Sequence, residues 1–240
     1  MSTARPGTAP TPILDHADQR IRALASAVVS RIESCEHAGS GGQIRDDGQG
    51  AMVEAGRSRA LVRAAHALVG ERVAAAYLLD DRQPASRTLA RGEGSCSQRF
   101  AVLEAVLRAC GVPTRTHGLL VPGQFWAPRF PALSRMLPDE VPIAWPEVLV
   151  VDRWRTVPEL LLDDGHGDAA TTFTNDAETL FDAVSHVRIC WDTASACAID
   201  GLPATSLGRF ACRDEFFDAH GEPFCRLGRH LVEPIVRRSA

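Results

Sequence analysis

Residues 99–115, RFAVLEAVLRACGVPTR, constrain this chain more than any other stretch. At helical spacing Phe100, Leu103, Leu107 and Cys110 fall on one face. Ala101, Val102, Ala105, Val106 and Ala109 cover most of the remaining surface. A helix that is apolar nearly all round has to be buried, so the rest of the fold must pack on every side of it. Cys-Gly-Val-Pro at 110–113 ends the helix, with Gly111 as C-cap and Pro113 just beyond. Upstream, GEGSCSQ at 92–98 is a glycine-rich turn that puts Cys96 at the first turn of the same helix.

A chain of 240 residues allows one large domain or two small ones, with a sizeable core either way. It is 45% hydrophobic and 23% charged, as soluble globular proteins are. A net charge of −4 without a large basic block gives nucleic acid no electrostatic footprint. No stretch approaches the roughly 18 apolar residues of a membrane span. The start, MSTARPGTAPTP, lacks the apolar core of a secretory signal, so a cytoplasmic protein is expected. All 26 basic residues are arginine, which excludes a lysine nucleophile and reads as the coding bias of a GC-rich bacterial genome. Seven cysteines at irregular spacing, with no CxxC, argue against a metal finger or a disulfide framework. No phosphate-binding glycine loop occurs, so no nucleotide cofactor is implied. Asp163, Asp164, His166 and Asp168 read as a solvated acidic loop rather than a metal site, and no cofactor or metal is expected.

Residues 1–12 are rich in Pro, Ser and Thr and are expected to be disordered. Residues 13–32 carry Ile13, Ala17, Ile21, Leu24, Val28 and Ile32 at three- and four-residue spacings, which predicts an amphipathic helix. Residues 37–50 read as a flexible loop, and 51–79 as a second helical region broken near Gly70. Residues 80–94 read as a polar connector. After the buried helix, Thr114–Val121 alternates as a strand, and 141–151 reads as another with Pro146 marking an edge or bulge. Asp152-Arg153 turns the chain into a hairpin partner, WRTV. Residues 159–175 read as an acidic loop, 177–184 as a short helix and 186–191 as a short strand. DEFFDAHG and residues 225–238 read as closing helices. The order predicts an α+β fold: N-terminal helices and a buried cysteine-bearing helix against an antiparallel sheet. No linker separates domains after residue 12, so 13–240 is expected to be a single domain.

Cys96 differs from the other six cysteines by its place. The unpaired N–H groups and dipole at a helix start stabilise an anion, so a thiolate there is expected to have a lowered pKa and to be a usable nucleophile. The same N–H groups suit the oxyanion of a tetrahedral intermediate. Gly92 and Gly94 let the backbone come close at the entry.

GEGSCSQRFAVLEAVLRACGVPTRTHGLLV resembles the cysteine half of the transglutaminase-like superfamily, with its Gly-x-Cys turn, buried helix and Gly-(Ile/Val)-Pro-x-Arg start to the next strand. Here these are Gly94-Ser95-Cys96 and Gly111-Val112-Pro113-Thr114-Arg115. AWPEVLVVDRWRTV resembles the family's following strand pair through Ala144, Trp145, Glu147, Val148 and Trp154. The resemblance covers about residues 75–160 and leaves 161–240 as a C-terminal extension. It implies a papain-like cysteine fold with a Cys-His-Asp triad, of which only Cys96 is kept. Ile143 stands where the histidine is expected and Pro158 where the aspartate is expected. Isoleucine cannot take a proton, and proline cannot orient an imidazole.

Surrogates are therefore sought among the remaining polar residues. His117, on the strand after the cysteine helix, is the preferred base, and Glu147 is next, acting through a pKa raised by burial. His166 and His186 flank the later loop. Gln98 and Gln124 are candidate donors to an oxyanion, and Trp126 and Trp145 candidate walls of a substrate cleft. The expected function is a cysteine enzyme with a non-standard triad acting on a small-molecule, acyl or peptide substrate by acyl transfer, amide formation, hydrolysis or cyclisation. A tailoring step in secondary metabolism fits by analogy. The rival is an inactive descendant kept as a binding or scaffold protein.

Overall fold

The computed structural model describes residues 7–38, 49–162, 173, 175–176, 178–187, 189, 191 and 204–222. Four helices come first: α1 (Gln19–Ala38), α2 (Gln49–Arg72), α3 (Ala85–Arg91) and α4 (Cys96–Ala109). Two short strands, β1 (Ala74–Ala75) and β2 (Glu93–Gly94), pair in parallel before α4 begins. Next come β3 (Thr114–Pro122), β4 (Glu140–Val150), β5 (Arg153–Thr156), α5 (Val157–Leu161), α6 (Leu180–Ala183), β6 (Thr205–Phe210) and α7 (Arg213–His220). The main sheet has the order β5-β4-β3-β6 with every neighbour antiparallel. The fold is α+β, as the sequence predicts.

Helix α4 is the centre of the molecule. Every residue from Gln98 to Arg108 is buried. Helices α1 and α2 pack on it with Ile21, Leu24, Val28, Leu61, Ala65 and Val69, all buried. Leu103 and Leu107 lose all their surface, worth about 1.5–3 kcal/mol each. The three charged residues on α4 stay inside because each finds a partner, which is the condition for burying charge. Arg99 pairs with Asp182 at 2.8 Å, and Glu104 with Arg213 at 2.5 Å. Arg108 donates to Thr114, to the Ala9 carbonyl and to the Ala211 carbonyl.

Several local expectations change. The first helix begins at Gln19, not at residue 13, because the Asp18 side chain accepts from the Arg20 N–H and caps it. Ile13 and Leu14 are still buried, in the turns before it. Within residues 7–12, the Gly7 carbonyl accepts from the Thr114 N–H, and Thr11 bonds Asp214. Helix α2 runs through Gly70 without a break and ends at Arg72. The polar connector contains α3, whose buried Ser86 and Thr88 are satisfied by Asp15 and Gln83. The Cys110 residue caps α4, and Gly111 takes the left-handed φ of 79° just after it.

In the sheet, β4 is interior, yet β5 reaches along it only to Glu147, so at Pro146 the strand has a neighbour on one side alone. That local edge is where a residue without an N–H can sit. The hairpin turn is Val151-Asp152, one residue earlier than expected, with positive φ at both. The fourth strand is β6 rather than residues 186–191, whose described members lie outside any strand. Gly118 of β3 is crowded from one side: a Cβ there would lie 2.7 Å from the Phe216 ring and 2.8 Å from the Phe210 ring. The expected loop at 37–50 falls mostly outside the described residues, as do most of the acidic loop and all of the helix expected at 225–238.

Candidate active site

Cys96 is the first residue of α4. Ser95 caps the helix: its hydroxyl accepts from the Gln98 N–H at 3.2 Å, and the Gln98 side chain accepts from the Ser95 N–H at 3.1 Å. The other end of the Gln98 amide donates to the Asp80 carbonyl at 2.7 Å. Gln98 is thus buried and fully engaged in fixing the turn. Gly94 is required on the same ground, since a Cβ would come 2.8 Å from the Thr88 methyl and 3.2 Å from the Gln98 side-chain oxygen.

The ladder of β1 with β2 decides which residues meet the thiol. Ala74 and Ala75 pair with Glu93 and Gly94, and the Ala76 N–H donates to the Gly94 carbonyl. The chain leaving β1 therefore runs beside the chain entering α4, and it brings Tyr77 and Asp81 within electrostatic reach of Cys96. Asp81 accepts from the Ser97 hydroxyl. Ser97 in turn accepts from Arg213 Nη1 at 3.0 Å. Arg213 is fully buried and also bonds Glu104 and the Ala144 carbonyl, so it ties the cysteine helix to β4.

Electrostatics at this point differ from expectation. Cys96 keeps part of its surface, but the protein around the sulfur withdraws it from water. Burial, with the Asp81 charge added, pushes the thiol up to about 11. The Ser97 N–H, Arg99 and Arg213 pull the other way and lose. The expected lowering by the helix start is therefore overturned: desolvation outweighs it. Burial likewise raises Asp81 to about 6, opposed by Ser97 and Arg213. Tyr77 rises to about 12, from burial first and Cys96 second; Arg129 lies over its ring at 5.1 Å and Phe130 meets it edge-on.

The other sequence candidates lie elsewhere. His117 bonds Ser206 at 2.8 Å and stands 3.9 Å from Glu147. Glu147 is buried between Arg115 at 2.5 Å and Arg209 at 3.3 Å. His117 and Glu147 form a cluster with those arginines, and neither is among the groups acting on Cys96. Burial, then Arg209, lowers the His117 pKa. Trp145 packs edge-on to Phe100 and is 1% exposed. Trp126 is half-buried against Phe125, and Gln124 is exposed beside it. Ile143 sits opposite Leu119 in the sheet, and Pro158 is buried in α5. His186 pairs with Glu178 at the surface, and residues 163–168 lie outside the described part. Among the described residues no group of three His, Cys, Asp or Glu is placed to hold a metal, and no helix is long and apolar enough to cross a membrane.

A cysteine at the first turn of a largely buried helix, followed by an antiparallel sheet, is the α+β arrangement that the sequence resemblance implies. Residues 49–158 match the family model of the transglutaminase-like superfamily. Cysteine-dependent acyl transfer or hydrolysis is the general chemistry of that superfamily. The match extends the resemblance upstream over α2 and stops before Arg209 and Arg213. No curated protein and no solved structure matches the chain.

Proposed function

We propose that the protein is a cysteine enzyme that takes an acyl group onto Cys96 and passes it to water or an amine, with Asp81 handling the proton. The observation that carries this reading is the position of Cys96 in a transglutaminase-like domain, at the first turn of a capped helix. The thiol is neutral at rest. As its sulfur bonds to the carbonyl carbon the S–H becomes strongly acidic, and a carboxylate of pKa about 6 accepts the proton. The tetrahedral intermediate then collapses, the C–N or C–O bond breaks, and the leaving group departs with the proton from Asp81. The Ser97 N–H, directed at the sulfur, lies near where the oxyanion forms.

Mass spectrometry after reaction with an activated ester tests this. The expected adduct sits on Cys96 and is absent in Cys96→Ala. Its rate rises through pH about 6 as Asp81 ionises, and falls by roughly 10²–10⁴-fold in Asp81→Asn. An unchanged rate in Asp81→Asn sinks the assignment of the base. The rival reading, a binding or scaffold protein, is favoured by the thiol pKa of about 11. It wins if native protein resists both the ester and iodoacetamide at Cys96.

A further inference from the structure

A cleft of about 1150 Å³ opens along the sheet, and Cys96 is not part of its wall. Arg59, Arg115, Arg153, Arg155 and Arg209 line it, against Glu147 and Glu159. Five guanidiniums facing two carboxylates leave three positive charges in excess, on a chain whose net charge is −4. The His117 ring adds none near neutral pH, since burial and Arg209 keep it deprotonated. Glu147 is shared by Arg115 and Arg209, and the Arg115 guanidinium lies over the Trp154 ring at 4.4 Å.

Trp145, Trp154 and Trp191 also line the cleft. The complement of a group of planar guanidiniums is an oxyanion with several acceptor atoms.

We propose that this cleft binds a small molecule carrying a multiply charged oxyanion, a phosphate or grouped carboxylates, with an apolar portion against the partly exposed Trp154 and Trp191. The guanidiniums hold the charge, and the positive field gathers such a ligand from solution. The assignment stands on the cleft alone and is independent of the chemistry at Cys96.

Pyrophosphate and, separately, citrate titrated into the full chain supply the test, read by tryptophan fluorescence and calorimetry. Ionic strength should be about 10 mM, so that screening does not hide the interaction. Saturable binding of either probe is expected; tighter pyrophosphate assigns phosphate, and tighter citrate assigns carboxylates. The double variant Arg153→Gln/Arg209→Gln should weaken binding on the order of tenfold per lost guanidinium, with its unfolding midpoint little changed, because both side chains are exposed and Glu147 keeps Arg115. Arg59→Gln/Arg155→Gln provides a second pair. Arg22→Gln, at an exposed position on α1, should leave binding as it is. No saturation by either probe up to about 10 mM overturns the proposal. So does binding that ignores both pairs, or that Arg22→Gln weakens equally.

Discussion

Around Cys96 the charged groups are dry and interlocked; along the sheet cleft they are wet and fan outward. Arg213 and Glu104 are buried to within 1% of their side-chain surface, and Arg213 makes three polar contacts, to Glu104, Ser97 and the Ala144 carbonyl, only by staying in a single pose. Arg209, in the cleft, leaves 48% of its side chain in water while touching Glu147. The first arrangement fixes geometry and moves pKa values: it holds Ser97 against Asp81 and sets the charge beside the thiol. The second maintains a field and leaves hydrogen-bonding capacity for something else. Substitutions in the two regions should therefore be read on different scales, stability in one and ligand affinity in the other.

The sharpest way to break that comparison is Arg213→Met. It strands Glu104 as an unpaired buried charge and should cost about 3–5 kcal/mol in urea unfolding. The double variant Glu104→Gln/Arg213→Met should recover much of the loss. A cost under about 1 kcal/mol would show that the pair behaves like a surface one.

Asp81→Asn sharpens the same side through pH. Asp81 rises from 3.8 to about 6 in the folded chain, so its ionised form is disfavoured by folding. The stability it allows is complete below about pH 4 and lost as pH rises through about 6. Asparagine avoids that loss. The variant should be more stable than the native chain at pH 8 and equal to it at pH 4, measured by urea midpoints.

Helix α4 and the place of Cys96 were legible because they depend on neighbours in sequence: apolar residues at every position of a helix, a serine cap and a terminal glycine. The strands β3 and β4 showed for the same reason. Helix α3 did not, because ASRTLAR is polar, and its buried Ser86 and Thr88 are satisfied by Asp15 and Gln83 from outside it. Strand β6 hides behind Gly208 and Arg209, which break the alternation; it is a strand because the edge of β3 accepts it. The partners of Cys96 were out of reach altogether. Asp81 arrives through a two-residue ladder, and Arg213 bonds a glutamate 109 residues away. No local pattern encodes either meeting. The pKa of the thiol was misjudged because the helix start is visible in the sequence and the desolvation is not.

Ser95→Ala is the next smaller test. It removes the hydroxyl that accepts from the Gln98 N–H and should cost about 1 kcal/mol. It should also loosen the turn, so alkylation of Cys96 should change along with the unfolding midpoint.

The smallest expected effect belongs to the cleft. Arg155, in β5, and Glu159, in α5, pair at 3.2 Å, with 46% and 47% of their side chains exposed. Water screens such a pair, and holding two long side chains together costs entropy, so exposed pairs are worth about 0.2–1 kcal/mol. Arg155→Gln should move the unfolding free energy by no more than that, and added salt should erase the difference. The same substitution removes one of the cations lining the cleft, so anion affinity should fall while stability holds. If Arg155→Gln instead destabilised the fold as Arg213→Met does, the cleft arginines would be part of the framework, and the contrast between a dry, locked region and a wet, receptive one would disappear.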